Sequence, residues 1–559
     1  MSARPCSFGV TSTHEEARVG TSEFDWNPAT VWETVAEEIP EAPAQVHGDR
    51  TFSWADFDRR ANGLAAALLD ADAGRDDRVA LYLRNSPEYM EVQHAAFKIG
   101  IPAVNTNYRY RDEELRYLFD DADVTSVVFH GSFTERLESI RRASPRLRRF
   151  FHVDDGTDPC PEWAVPYEEA VGSGGGAVRS PWGRGRDDLF LLYTGGTTGM
   201  PKGVMWRVED MLRQINDVAE ISFDLDDADA AIRAAVNGPG PVHVSCSPMM
   251  HGSGWFGAAI AMHQGGSVGS LVRPNLDAGE LLDLIDRLGV GSLTIAGEVF
   301  AHTILATLDE QPGRWDSTSV RHVLTSGGML SEASKRALLE HWPHASILDG
   351  FSSSEGFGMG WSVATRGNVP PTGRFTPGAN LRVLDPDGRP VAPGSGVVGR
   401  LVVSDRLPLG YYKDPGKTER TFPVIDGVRS AIPGDHALVL EDGTIQLMGR
   451  DSLCINSGGE KIFTEEVEGV ILDHEAVADV LVAGVPDPKW GQAVAAIVSL
   501  EPGRSVGADD VVAHVKARLA GYKAPKVVVF VDVVPRGPNG KADYGAARSL
   551  AEAHRGRAS

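Results

Sequence analysis

The chain has 559 residues and a formal net charge of −23, with 42% hydrophobic and 23% charged residues, the balance of a soluble globular protein. That length exceeds what one core can serve and predicts about three or four compact units. The acidic balance disfavours nucleic acid, whose phosphates it would repel, so an anionic ligand has to be met by a local positive site. Cys6, Cys160, Cys246 and Cys454 are scattered, with neither zinc spacing nor a disulfide framework. Free thiols suit a reducing cytoplasm, which is the expected location. Residues 1–19 carry no apolar signal segment, and no run of about 18 apolar residues predicts a transmembrane span.

Residues 1–24 read as a polar tail. Beyond Trp32, helices and strands alternate. Phe57, Ala61, Leu64 and Leu68 share one helical face. Strands are predicted at 78–83, 101–104 and 126–129, with helices at 88–98 and 112–119 between them. A Gly-, Ser- and Arg-rich connector at 171–186 leads to an apolar strand at 188–192. Further on come helices at 209–219, 278–288, 300–309 and 332–341, and strands at 242–245, 292–295 and 320–324. Such alternation predicts an α/β fold with mostly parallel sheets. From about Gly373 the texture changes to short β segments and Gly/Pro turns, which predicts a small barrel-like subdomain. A final unit mixes strands at 480–485 and 527–531 with a helix at 509–519.

The 188–192 strand runs into Tyr193-Thr194-Gly195-Gly196-Thr197-Thr198-Gly199-Met200-Pro201-Lys202-Gly203. Four glycines, three threonines and a lysine in this stretch predict neither a helix nor a core strand. Gly offers positive φ, and Pro201 removes a donor. Successive N–H groups in such a turn form an anion cradle, with the Thr hydroxyls and Lys202 as further partners. The Gly-Lys-Ser/Thr ending of a Walker A loop is absent.

This string resembles the signature loop of the AMP-forming adenylate family: acyl-CoA synthetases, luciferases and peptide-synthetase adenylation domains. The resemblance covers about residues 51–546. It implies that Thr194, Gly195, Gly196, Thr197, Thr198, Gly199 and Lys202 cradle the phosphates of ATP. Phe351-Ser352-Ser353-Ser354-Glu355 is similar to the family's Tyr-Gly-x-Thr-Glu, with Ser352 in place of Gly and Ser354 in place of Thr. The likeness implies Mg²⁺ on Glu355, with Thr198 as a second ligand candidate. It also implies that Phe351 flanks adenine, that Asp349 and Gly350 belong to the nucleotide stretch, and that Gly327 and Gly328 turn beside the nucleotide. Asp435 and Arg450 match the family's ribose-binding pair. The hinge that follows carries Ser452 where the family usually has an acidic residue. Ser457, Gly458, Gly459 and Lys461 resemble the turn at the pantetheine tunnel.

Lys541, in Pro535-Arg536-Gly537-Pro538-Asn539-Gly540-Lys541, resembles the family's catalytic lysine, which contacts the substrate carboxylate and the α-phosphate. A fixed cation where charge develops is a large catalytic term. His251 resembles the residue that lines the acyl pocket and gates CoA, with Met250, Trp255, Gly327 and Gly356 as candidates for the acyl wall. The expected catalytic set is Lys541, Glu355, Thr198, Lys202 and His251.

The resemblance implies a large N-terminal domain of stacked α/β subdomains at 25–450, with the β-rich part at 373–448. A small, mobile α+β lid domain at 451–559 follows. Strings such as Gly410-Tyr411-Tyr412-Lys413-Asp414 and Gly203-Val204-Met205-Trp206 are similar to actinobacterial fatty-acid and steroid side-chain acyl-CoA ligases. The implied reaction joins a carboxylic acid to CoA through acyl-AMP, with ATP, Mg²⁺ and CoA. Three alternatives stay open: an adenylating enzyme that loads a carrier protein, an aryl or medium-chain acid ligase, and a luciferase-like oxygenase. A non-catalytic nucleotide-binding module and a homodimeric assembly are also admitted by the sequence.

Overall fold

The computed structural model describes residues 25–69, 73–172, 175–196, 199–224, 228–328, 330–450, 453–457, 460–487, 489–537 and 542–558. Short apolar strands separated by helices pair in parallel here, and helices cover both faces. One set runs in the spatial order Pro43–His47, Ser267–Ser270, Val242–Ser245, Ser292–Ile295, His322–Thr325 and Ser346–Ser353, all parallel. A second set orders Leu189–Gly196, Ala103–Asn105, Val79–Tyr82, Ser126–His130 and Arg149–Val153, again parallel. The expected alternation is therefore realised as two stacked α/β layers.

The helices between these layers show why the stack is specific. Every residue of Pro87–Ile99 is buried, including Glu88, Glu91, His94 and Lys98. Buried charges persist only when paired. Lys98 Nζ reaches Glu33 Oε1 and Asp58 Oδ1, each at 2.7 Å, and Arg60 Nε reaches Glu91 Oε1 at 2.8 Å. On the outer face, helix Ala278–Leu288 buries Leu281, Leu282, Leu284 and Ile285 and leaves Asp283 and Asp286 to solvent. Fully burying each such aliphatic side chain stabilises by about 1.5–3 kcal/mol.

The β-rich part begins where Gly356–Ala364 turns back antiparallel to Ser346–Ser353 and hands on to Arg374–Pro377. Antiparallel strands at Val398–Ser404, Asp435–Val439 and Ile445–Arg450 complete it. A separate five-stranded sheet uses only strands from Ile455 onward, with Gly491–Leu500 at its centre and Val477–Asp487 paired along one side of it. The molecule is a mixed α/β protein with a large N-terminal and a small C-terminal domain.

Two expectations are corrected. The stretch 193–203 is not a turn outside the sheet. Leu189–Gly196 and Gly199–Arg207 form an antiparallel hairpin with Tyr193 opposite Gly203, Thr194 opposite Lys202 and Gly196 opposite Gly199. Glycine is required because a Cβ on Gly203 would lie 2.6 Å from the Tyr193 ring; glycine inside a strand marks such close approach. Likewise, the small polar residues before Glu355, which read as a loop after a strand, continue the strand as far as Ser353, because Gly356–Ala364 pairs with them. The turn is reduced to Ser354 and Glu355. A closing helix, Tyr544–Ala558, packs on the C-terminal sheet and was not anticipated.

Candidate active site

In open parallel sheets, ligands gather at the carboxyl ends of the strands. The described site segments lie there. Ser326–Gly328 follows His322–Thr325, whose Thr325 pairs with Asp349 in the neighbouring strand. Gly327 has φ +84°, a conformation other residues adopt at a cost. The segment holding Met250 and His251 follows Val242–Ser245 and ends as the N-cap of helix Gly252–His263. Gly254 allows that helix to close on its own entry, since a Cβ there would meet the Pro248 carbonyl at 2.5 Å.

Side chains the sequence did not single out stitch these segments together. Asn105 Nδ2 donates to the Tyr193 carbonyl at 2.8 Å and to the Met250 carbonyl at 2.6 Å. The Tyr193 N–H donates to Asn105 Oδ1 at 2.7 Å. One amide therefore fixes the hairpin against the segment of His251. Asn85 does the same one turn earlier, donating to the Ser245 and Ser247 carbonyls and accepting from Met249 N–H. Asn105 ends its strand and Asn85 lies just beyond the end of Val79–Tyr82, and that placement was their only sequence signal.

The hairpin is joined to Glu355 by two further bonds. Trp206 Nε1 donates to the Ser354 carbonyl at 3.0 Å. Tyr411, paired across from Val204, donates its hydroxyl to Glu355 Oε1 at 2.5 Å. Burial, and then the Glu355 carboxylate, push the Tyr411 phenol well above its usual range. Thr194, Lys202, Ser354 and Glu355 thus share one locality although 150 residues of chain lie between the two turns.

The remaining sequence candidates divide. Phe351 is buried against the Phe375 ring, centroids 5.5 Å apart. Ser352 and Ser353 hydroxyls accept from Gly358 N–H and Glu355 N–H, so they shape the turn. Asp349 points inside: Lys335 Nζ donates to its Oδ2 at 2.9 Å, and burial raises its pKa above the ordinary carboxylate value. Asp435 is 2% exposed and lies directly opposite Arg450 in the strand register. Met250 and Trp255 are each 2% exposed, and Trp255 joins an aromatic run with Phe190, Phe256 and Phe357. Ser457 is separated from this group in the C-terminal sheet, in a hairpin with Glu460. Lys461 pairs there with Asn456. Thr197, Thr198, Gly458, Gly459 and Lys541, as well as the hinge residue Ser452, lie outside the described residues.

A cleft of about 850 Å³ opens between the domains, lined by Cys246, Pro248 and Phe300 on one side and Val533, Arg536 and Gly537 on the other. The chain leading to Lys541 therefore faces the segment of His251. Arg536 is clamped in place by Asp479, Nε to Oδ2 and an Nη to Oδ1 both at 2.6 Å.

A model described as AMP-binding enzyme matches residues 32–412, and one described as AMP-binding enzyme C-terminal domain matches 466–541. The chain is 38% identical over 534 residues to a medium/long-chain-fatty-acid–CoA/3-oxocholest-4-en-26-oate–CoA ligase of Mycobacterium tuberculosis, covering 94% of this chain and 96% of that protein. It is 39% identical over 543 residues to the medium-chain acyl-CoA ligase Mig of Mycobacterium avium, covering 93% and 97%. A 3-oxocholest-4-en-26-oate–CoA ligase of Rhodococcus rhodochrous is 36% identical over 531 residues, 93% and 94% of the two chains. Among solved structures, an anthranilate CoA ligase, AuaEII, in complex with anthranoyl-AMP shares the fold with a TM-score of 0.79 at 21% identity, covering 95% of this chain and 98% of that one. ATP-bound MatB of Rhodopseudomonas palustris does so with 0.76 at 23%, covering 94% and 98%. With both parts of the chain matched and these relatives aligned along nearly its whole length, the protein belongs to the family of AMP-binding enzymes.

Proposed function

We propose that the protein is an ATP-dependent acid–CoA ligase of the cytoplasm that acts on a medium- or long-chain fatty acid or a steroid side-chain acid. The observation that carries this reading is the convergence of the Lys202 hairpin and Glu355, tied by Tyr411 and Trp206. The names of its 36–39% identical relatives supply the substrate class. No described helix is long and apolar enough to cross a membrane.

In this reading Thr194–Lys202 holds the ATP phosphates, Phe351 flanks adenine, and Asp435 with Arg450 holds the ribose. A substrate carboxylate oxygen attacks the α-phosphorus. The bond to the bridging oxygen of the β-phosphate breaks, and pyrophosphate leaves with the electron pair. Lys541 is assigned to meet the charge that develops on the α-phosphate and the carboxylate. The CoA sulfur then attacks the acyl carbonyl, AMP leaves, and the thiol proton passes to solvent. A rotation of the C-terminal domain about the boundary at 450/451 exchanges the Lys541 segment for the Ser457–Lys461 turn between these steps.

The donor set fits magnesium. Among the described residues no cluster of three or more His, Cys, Asp or Glu forms a metal cage. Mg²⁺ commonly binds through one carboxylate and substrate phosphates. Glu355, with one carboxylate oxygen engaged by Tyr411, would hold it with Thr198. Bound there, it would neutralise phosphate charge. For CoA, a cavity of about 630 Å³ offers Arg84, Arg109 and Arg136 beside Asp112 and Glu135, a small local excess of positive charge on an acidic protein.

The test is pyrophosphate release by the pure protein over a panel of acids from acetate through aryl and long-chain acids to steroid side-chain acids, with and without CoA. Sustained release that needs CoA and either a fatty or a steroid side-chain acid is the expected result. Release in a single CoA-independent burst would assign the acyl group to a carrier, and no release with any acid would remove the ligase reading.

A further inference from the structure

Beside the hairpin lies a lysine that no motif singled out. Residues 409–412 run along its outgoing arm just past Lys202. Leu409 N–H donates to the Met205 carbonyl at 2.7 Å, Tyr412 N–H to the Gly203 carbonyl at 2.8 Å, and Gly410 and Tyr411 pair with Met205 and Val204. The chain then turns directly into helix Pro415–Thr421. Asp414 caps that helix by accepting from Lys417 N–H at 2.9 Å. The Thr418 hydroxyl oxygen accepts from Tyr411 N–H at 2.9 Å. Gly410, at φ +148°, makes this closure sterically feasible, since a Cβ there would stand 2.4 Å from Thr418. The helix position is therefore fixed relative to the hairpin by bonds at both ends.

This arrangement delivers the Lys417 ammonium onto the face of the Tyr411 ring, 3.9 Å from its centroid, and beside the Lys202 ammonium. Tyr411 in turn holds Glu355. Two half-buried ammonium groups side by side repel each other, and the carboxylates within reach, Glu355 and Asp414, are already engaged by Tyr411 and by the helix cap. Burial, and then the Lys202 ammonium beside it, lower the pKa of Lys417 to about 8, the direction expected where a second cation stands close with no anion between them. A polyanion placed between them turns that repulsion into two charge-assisted contacts.

We propose that Lys417 is a second phosphate-binding cation of the adenylation step, which grips the β- and γ-phosphates of ATP together with Lys202 and holds the pyrophosphate leaving group. As the carboxylate oxygen bonds to the α-phosphorus and the bond to the bridging oxygen breaks, the electron pair and the negative charge pass to pyrophosphate. Lys417 and Lys202 stand on that side of the breaking bond, and Lys541 is assigned to the other side. Tyr411 has the positioning role: its ring carries Lys417 and its hydroxyl carries Glu355, so one side chain sets the spacing between the cation pair and the carboxylate. The tether to the hairpin suits a fixed leaving-group site, whereas Lys541 belongs to the domain that moves.

The proposal rests on the reading that the Lys202 hairpin holds the phosphates of ATP, so the experiment runs Lys417→Ala, Lys417→Arg and Lys202→Ala side by side in the full-length enzyme. The readouts are the KM for ATP, inhibition by added pyrophosphate, AMP affinity, and thioesterification of supplied acyl-AMP. Losing one charge-assisted contact, Lys417→Ala should raise the KM for ATP and the pyrophosphate inhibition constant by about tenfold each. AMP affinity and thioesterification should stay within about twofold of wild type, a change of less than about 0.5 kcal/mol, and Lys417→Arg should recover most of the loss. A Lys417→Ala enzyme with unchanged KM and inhibition constant, beside an impaired Lys202→Ala, overturns the role of Lys417 alone. Unchanged values in both variants overturn the phosphate reading of the hairpin itself. Equal losses in both half-reactions with a lowered unfolding midpoint would reduce Lys417 to support of its helix and also refute the proposal.

Discussion

Asn105→Ala removes the side chain that joins the Lys202 hairpin to the segment of His251. Three backbone groups lose their partner: Tyr193 N–H, the Tyr193 carbonyl and the Met250 carbonyl. Tyr193 and Met250 are 4% and 2% exposed, so water does not readily replace the amide. A buried group left unsatisfied costs about 1–3 kcal/mol. Taking the low end for each of the three gives about 3 kcal/mol of lost stability. The unfolding midpoint of the large domain should fall by about 5 °C or more. The functional loss should exceed the stability loss at assay temperature, because the hairpin and the segment of His251 are no longer held in register. A misplacement of about 1 Å at reacting groups costs on the order of a hundredfold. Acid-dependent pyrophosphate release, followed with a coupled assay, should therefore show kcat/KM reduced by about 10–100-fold. Asn105→Asp sharpens the test. It keeps an acceptor for Tyr193 N–H but sets a carboxylate oxygen against two carbonyls, so it should be at least as damaging at neutral pH and recover in acid, where protonation restores a donor. Wild-type midpoint and wild-type kcat/KM in Asn105→Ala would refute the reasoning.

Lys541→Ala should slow acyl-AMP formation by about 10²–10³-fold, the scale of one preorganised charge donor, and spare thioesterification of supplied acyl-AMP; equal loss in both steps would remove its assigned role. Glu468 is held between Val482 N–H at 2.7 Å and the Tyr544 hydroxyl at 3.1 Å, and burial pushes its pKa up to about 8. A raised value means that the folded state keeps a proton the unfolded state has lost. Stability is therefore greatest below the unfolded value near 4.5 and falls as pH rises toward about 8, by about 1.4 kcal/mol per pH unit. Urea midpoints of the C-terminal transition should show this slope, and Glu468→Gln should flatten it; parallel profiles would count against it. Gly203→Ala forces the Tyr193 ring off its bond to Asp121, now 2.7 Å, and should cost about 1–3 kcal/mol. In a Tyr193→Ala background the same change should cost less than about 0.5 kcal/mol, a coupling that a double-mutant cycle reads directly. Chelation of divalent cations should stop pyrophosphate release and leave thioesterification of supplied acyl-AMP intact.

Local information fixed a good deal. The helices at 278–288 and 332–341 and the strand at 292–295 were legible to the residue, because their apolar periodicity and their caps at Asp277 and Ser331 agree. The grouping of glycine, threonine, lysine and glutamate in short strings made Thr194–Lys202 and Glu355 candidates from sequence alone. Three things were decided only in three dimensions. The glycine stretch became a hairpin because its two arms found each other and Tyr193 found the space over Gly203. The charged helix Pro87–Ile99 became fully buried because Glu33, Asp58 and Arg60 arrive from other helices to neutralise it. Asn105, Tyr411 and Lys417 stand beside the hairpin because tertiary packing sets them against segments far along the chain. The sequence by itself determined which chemically capable groups cluster in short strings, since composition within a short window is local. Tertiary structure alone decided which groups hold them in place, since the partner of a buried donor or charge is set by packing and not by neighbours along the chain.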